Sequence, residues 1–156
     1  MATETTVMWF RRDLRVASNP ALEAASRAGR VLPLFVIDPV LLASSGGARL
    51  RFLRESLEAL DAALDGGLVI RVGNPVEVVP AVAREVSATT VVVARDYTPY
   101  GRARDRSVSE AVAAQGRSLR GVGSPYAVAP GSVTKPDGHP YAVFTPFWKA
   151  WRRTLA

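Results

Sequence analysis

The chain has 156 residues, 48% of them hydrophobic and 22% charged, which suits one domain with a tail and excludes an intrinsically disordered chain. It has no Cys and one His, which excludes disulfides, thiolate metal sites, cysteine nucleophiles and a metal centre built on several imidazoles. The formal charge is +6, and because Lys135 and Lys149 are the lysines, eighteen of the twenty basic residues are Arg. Arginine suits bidentate contact with phosphate or carboxylate and stacks on flat rings, so nucleic acid or an anionic cofactor is a candidate partner. A GC-rich genome that enriches Arg and Ala together gives the same balance. No apolar run is long enough to span a membrane, and the opening MATETT lacks a signal pattern. A cytoplasmic protein with no membrane partner is the expectation.

In chain order, short β-branched runs alternate with helical stretches. Strands are expected at Thr6–Phe10, Val31–Ile37, Leu68–Val72 and Thr90–Ala94, with a weaker one at Ser118–Val122. Their apolar residues run continuously, the pattern of a parallel sheet covered on both faces. Asn19-Pro20 offers a helix cap with Pro in the first turn, and Asn74-Pro75-Val76-Glu77 fits a capping box. After Gly47, the residues Leu50, Leu53, Leu57, Leu60 and Leu64 repeat at three- and four-residue steps. They make one apolar stripe, with Arg51–Glu55 and Arg54–Glu58 as outward i,i+4 pairs. A further helix is expected from Gly101 to near Gly116. The whole reads as an α/β domain over residues 1–122, a doubly wound five-stranded parallel sheet with 3-2-1-4-5 as the expected order.

Residues 123–156 differ. Four Pro and three Gly lie between Gly123 and Tyr141, as in a surface connection. A short helix is then expected, capped by Thr145 and carrying Phe147, Trp148 and Trp151. With nothing after them to cover the rings, the expectation is a piece of a longer protein.

In such a fold the loops after the strands share one rim, where ligands bind. The loop after the first strand is Arg11-Arg12-Asp13-Leu14-Arg15, without the G-x-G-x-x-G of a nicotinamide-binding fold, and no P-loop occurs. Asp13 and Arg15 are expected to pair with each other, while Arg11, nearest the strand end, is placed to face a ligand. Asp38 and Asp96 follow the second and fourth strands and could accept hydrogen bonds from a flat heteroaromatic ligand or cap their loops. His139 sits in the Pro/Gly connection as a turn residue. No catalytic constellation can be assembled.

WFRRDLR (Trp9–Arg15), NPAL (Asn19–Leu22) and LFVIDP (Leu34–Pro39) resemble the opening of DNA photolyases and cryptochromes. ARLRFLRESL (Ala48–Leu57), RDYTPYGRARD (Arg95–Asp105) and GHPYAVFTPFWKAW (Gly138–Trp151) continue the resemblance in order, over almost the whole chain. It implies a Rossmann-like N-terminal domain that carries an antenna chromophore. A helical C-terminal domain would follow, holding catalytic FAD and the cyclobutane pyrimidine dimer of damaged DNA. The full-length protein would then be a deoxyribodipyrimidine photo-lyase, with a cryptochrome without repair activity as the alternative. Partners would be damaged DNA and the chain's own helical domain, with a monomer expected.

The resemblance also implies the antenna's contacts: Phe10 and Arg11 from the first strand, Phe35, Val36, Ile37 and Asp38 from the second, Arg49 on the ring's polar edge, and Asp96 and Thr98 after the fourth. Photolyases that use methenyltetrahydrofolate commonly show Asn-Glu where this chain has Tyr100-Gly101, which favours 8-hydroxy-5-deazaflavin or FMN as the antenna. Thr98 stands where deazaflavin or FMN relatives often carry Glu, and Ser18 replaces an Asp. Trp148 and Trp151 are expected to pack against the helical domain rather than relay electrons.

Overall fold

The computed structural model describes residues 4–155. Five strands, β1 (Thr5–Phe10), β2 (Arg30–Ile37), β3 (Val69–Val72), β4 (Thr90–Val93) and β5 (Ser118–Gly121), form one parallel sheet in the order β3-β2-β1-β4-β5. This is the expected doubly wound order. Along the centre, Phe10 pairs with Phe35 and Met8 with Val92, while Ile37 sits opposite Val72.

The apolar runs divide by the two-residue period of a strand. Val7 and Trp9 of β1 face a cluster with Leu34, Val36, Val91 and Val93. That cluster is covered by α4 (Pro75–Glu85) and α5 (Pro99–Ala113) through Val79, Val82, Val108 and Val112. Met8 and Phe10 face the other layer, with α1 (Pro20–Arg27) and α3 (Gly47–Ala63) supplying Ala21, Ala25, Leu57 and Leu60. Burying each large side chain contributes about 1.5–3 kcal/mol. A charge at Val91, fully buried in the middle of β4, would therefore break the sheet at its centre.

The helix starts follow one local rule. Asn19 accepts hydrogen bonds from the backbone N–H groups of Ala21 and Leu22 at 3.1 Å each, and Asn74 accepts from Val76 at 3.0 Å. Both are the expected caps. A five-residue helix, α2 (Pro39–Ala43), begins the same way at Asp38-Pro39 and was not expected. Helix α5 starts at Pro99, two residues before Gly101, because Thr98 caps it by accepting from the Gly101 N–H at 3.0 Å. Of the two outward pairs on α3, Arg54–Glu58 closes at 3.0 Å, and Arg51–Glu55 does not reach ion-pair distance.

The chain through Gly123 forms one compact unit, and from Ser124 onward a second. In the second, α6 (Phe144–Leu155) begins one residue before Thr145, which therefore lies inside the helix instead of capping it. No residue of α6 is buried; Phe144 and Trp148 stay 73% and 41% exposed, and Arg152 stacks over Trp148 at 4.8 Å. No helix among the described residues is long and apolar enough to cross a membrane.

Candidate functional site

The cap-Pro starts of α2, α4 and α5 lie just past the ends of β2, β3 and β4, and with the Arg11–Arg15 loop after β1 they define one rim. A cavity of about 450 Å³ opens there, within the range of small-molecule sites. Phe35, Val36 and Ile37 from β2 line it. Leu41 and Leu42 from α2 and Leu50 and Leu53 from α3 complete its apolar wall. A second hollow of about 470 Å³ shares Ile37, Leu42, Leu50 and Leu53 with the first, so apolar space continues beneath α3. The leucine stripe explains this. Leu57 and Leu60 are buried against the sheet, whereas Leu50, one end of the same stripe, is 36% exposed. The C-terminal half of α3 packs and its N-terminal half stands over the cavity.

Four arginines line this cavity, Arg11, Arg12, Arg49 and Arg104, against one carboxylate, Asp38. Arg11 is nearly buried, pairs with Asp105 and donates to the carbonyl of Ala94. Burial and the neighbouring Arg104 pull its pKa down, opposed by Asp105. Arg104 is held by Asp105 at 3.0 Å and Asp96 at 3.3 Å. Both guanidiniums stack on Trp9, at 4.9 Å for Arg11 and 5.2 Å for Arg104 from the ring centre. Arg49, in the first turn of α3, has no ion-pair partner among the described residues, and the Gly46 cap of that helix supplies no side-chain hydrogen bond.

Of the residues expected to touch a chromophore, Arg11, Phe35, Val36, Ile37, Asp38 and Arg49 come together on this cavity. Phe10, Asp96 and Thr98 do not. Phe10 faces the same layer as α1 and α3 but is packed into the core, 1% exposed, and does not line the cavity. Asp96 turns inward, accepting from the Thr98 N–H at 3.0 Å and the Thr98 hydroxyl at 2.8 Å. Burial opposes its charge, but the two Thr98 hydrogen bonds and the Arg104 and Arg11 cations hold its carboxyl below the usual range. Thr98 is the α5 cap. Asp38 takes the capping role of the two expected for it. It lines the cavity and caps α2 through the Val40 N–H at 3.0 Å, while its other oxygen accepts from the Tyr100 hydroxyl. Burial and that bond push the Tyr100 pKa up to about 12. Asp13 and Arg15 pair as expected, through two hydrogen bonds of 2.8 Å.

Sequence reasoning missed Trp9 and Arg104 as lining residues. Trp9 is 2% exposed, and its Nε1–H has no hydrogen-bond partner among the described residues. A cavity with apolar walls and a cationic rim fits a flat ring carrying acceptor atoms.

The family model for DNA photolyase matches residues 6–156. The chain belongs to the DNA photolyase family. This photolyase-family chain is 33% identical, over 96% of its length, to the deoxyribodipyrimidine photo-lyase of Agrobacterium fabrum, of which it covers 32%. It is 34% identical over 92% of its length to Cryptochrome-1 of Arabidopsis thaliana, of which it covers 22%. The structure of a class III photolyase from Agrobacterium tumefaciens superposes with a TM-score of 0.87 at 32% identity, over 97% of this chain and 32% of that one. An archaeal photolyase from Sulfolobus tokodaii, solved with two FAD molecules, gives 0.80 at 28% identity over 93% of this chain and 34% of that one. The chain spans from about a fifth to about half of the length of such relatives.

Proposed function

We propose that this chain is the antenna-chromophore domain of a deoxyribodipyrimidine photo-lyase. In this reading the rim cavity holds 8-hydroxy-5-deazaflavin or FMN, and a helical domain elsewhere in the full-length protein holds FAD and repairs cyclobutane pyrimidine dimers in DNA. The bound chromophore supplies light absorption. The chain's own residues supply the rest: the β2 and α3 side chains exclude water from the ring, and Arg49 and Arg12 offer guanidinium donors to its carbonyl or anionic edge. The observation that carries the reading is the open apolar cavity under α3, lined by six of the residues the family resemblance singles out. The Sulfolobus tokodaii photolyase, with its two FAD molecules, implicates a novel light-harvesting cofactor in that protein, in keeping with a flavin in this role.

The Tyr100-Gly101 pair, where folate-using photolyases commonly carry Asn-Glu, favours a flavin-type ring by resemblance. An ideal Cβ on Gly101 would sit 2.1 Å from the carboxyl carbon of Asp96, so glycine is the residue that fits beside Asp96 as it stands. The test is titration of the purified protein with FMN and with 8-hydroxy-5-deazaflavin, followed by chromophore fluorescence. Saturable binding is expected, and Arg49→Ala should weaken it about tenfold, the scale of one hydrogen bond to a charged group. Absence of binding, or indifference to Arg49→Ala, overturns the assignment.

The likeness to Cryptochrome-1 supports a second reading, a blue-light photoreceptor without repair activity. Thymine-dimer repair by the full-length protein under blue light separates the two.

A further inference from the structure

We propose that β3 is a dimerisation edge. Two copies of this chain pair antiparallel through Val69–Val72, about a twofold axis that passes through the sheet at Arg71, and their five-stranded sheets become one continuous sheet. The inference stands apart from the chromophore reading, and it departs from the monomer that the family resemblance implies.

β3 and β5 are the two edges of the sheet. Edge strands avoid pairing with other chains by presenting charge, Pro or a bulge. β5 does so, with Ser118 and Arg120 exposed. β3 instead leaves Ile70 41% and Val72 67% exposed, both β-branched and apolar. Their register opposite Phe35 and Ile37 puts both on the sheet face that α3 covers. Ile70 also lines the hollow beneath α3, with Leu42, Leu50 and Leu53. An apolar strip thus runs from that hollow to an open strand edge.

The backbone selects one register. The Gly73 N–H donates to the Ile37 carbonyl at 3.1 Å, so the Val72 carbonyl, trans to it across the same peptide, points to the free edge. Backbone groups alternate in direction along a strand, so Ile70 also points outward while Val69 and Arg71 face β2. From that open side the Arg71 guanidinium reaches the Ile70 carbonyl at 3.4 Å. A twofold at Arg71 sets Ile70 opposite Val72 of the second copy and pairs every outward N–H and carbonyl of these two residues. A twofold at Ile70 would call on the Leu68 N–H, which already donates to Asp61 at 3.0 Å. On the α3 face the joint is then apolar, Ile70 against Val72 twice over. On the other face Arg71 meets its own copy, a contact that repels by itself. Each Arg71 brings Glu85 at 3.6 Å, so the joint holds two cations and two carboxylates and is balanced in charge.

Sedimentation equilibrium of the 156-residue protein is expected to show reversible, concentration-dependent dimers. Val72→Lys changes an exposed site, so the urea midpoint should hold while dimerisation weakens about tenfold or more. The register is read by cross-linking, which is unambiguous because the chain has no Cys. Residues opposite each other between two hydrogen-bonded pairs lie about 4.5 Å apart at Cα, within disulfide reach. Arg71→Cys is therefore expected to give a disulfide-linked dimer under mild oxidation. Val72→Cys should lag well behind it, since its equivalent in the second copy lies about 7–8 Å away on the diagonal. A monomer at every concentration overturns the proposal and leaves the edge to a strand of another protein. Association indifferent to Val72→Lys, as the exposed aromatics of α6 would produce, overturns it as well. So does Val72→Cys cross-linking as fast as Arg71→Cys.

Discussion

Asp96, which follows a strand on the binding rim, reads from the sequence either as a ligand contact or as a loop cap. The fold uses it for architecture. Its oxygens are taken by Thr98 and Arg104, and it fills the space that a side chain at position 101 would need. No sequence pattern separates a strand-end aspartate that faces a ligand from one that locks the next helix, since both serve loops at the same edge. Trp9 shows the converse. It sits in an apolar run that reads as core, and only the structure reveals that the residue also lines the rim cavity beneath two stacked guanidiniums. The buried, hydrogen-bonded Asp96 makes a prediction about acid. Its pKa is depressed in the fold, so its stabilisation is complete above the unfolded value of about 3.9 and is lost as pH falls through the lower folded value. Asp13, lowered chiefly by its hydrogen bond from Arg15, behaves in the same direction. Urea unfolding between pH 5 and 2 should therefore show stability falling below about pH 4. Asp96→Asn should flatten that fall while lowering stability at pH 7, and an unchanged slope in the variant would remove Asp96 from the account.

At the scale of elements, the strongest signal in this sequence is a cap residue followed by Pro at the end of a strand. Asn19-Pro20, Asp38-Pro39, Asn74-Pro75 and Thr98-Pro99 each begin a helix, since Pro has φ preset for the first turn and no N–H to leave unsatisfied. The expected helices at Asn19 and Asn74 rest on that signal. Helix α2 escaped because five residues carry no periodicity to accompany the cap, although Asp38-Pro39 alone was sufficient. The sheet was legible for a complementary reason: parallel strands covered on both faces read as unbroken apolar runs. The four caps are not equivalent. Asn19 is 3% exposed, accepts from two N–H groups, and its amide also donates to the Arg15 carbonyl at 2.8 Å, tying the arginine loop to α1. Asn74 makes one such bond at a more exposed site. Asn19→Ala should cost about 2 kcal/mol and Asn74→Ala about 1 kcal/mol, read as shifts in the urea midpoint at constant slope. Equal costs would show that the loop tie contributes nothing.

Across the whole molecule, the sheet's two core layers draw on residues only as far as Val122. The last strand is tied in by backbone hydrogen bonds from Val122 to Val93 at 2.8 Å and from Arg95 to Gly123 at 3.0 Å. Gly123 closes that edge with φ of +58°, where a Cβ would meet the Pro20 ring at 2.9 Å, so a glycine is required at the junction. Beyond it, no side chain of α6 is buried, and its aromatics remain substantially exposed. Cooperative stability follows buried apolar area, and the denaturant slope follows the area exposed on unfolding. A chain ending at Gly123 should thus unfold in one transition, with the urea midpoint and slope of the 156-residue protein and with the same affinity for FMN. Loss of the rings on α6 should also reduce self-association, measured by light scattering at equal concentration, because large exposed apolar patches drive it. A truncated chain that unfolds at markedly lower urea would show that the segment after Ser124 shares in the folding of the α/β unit.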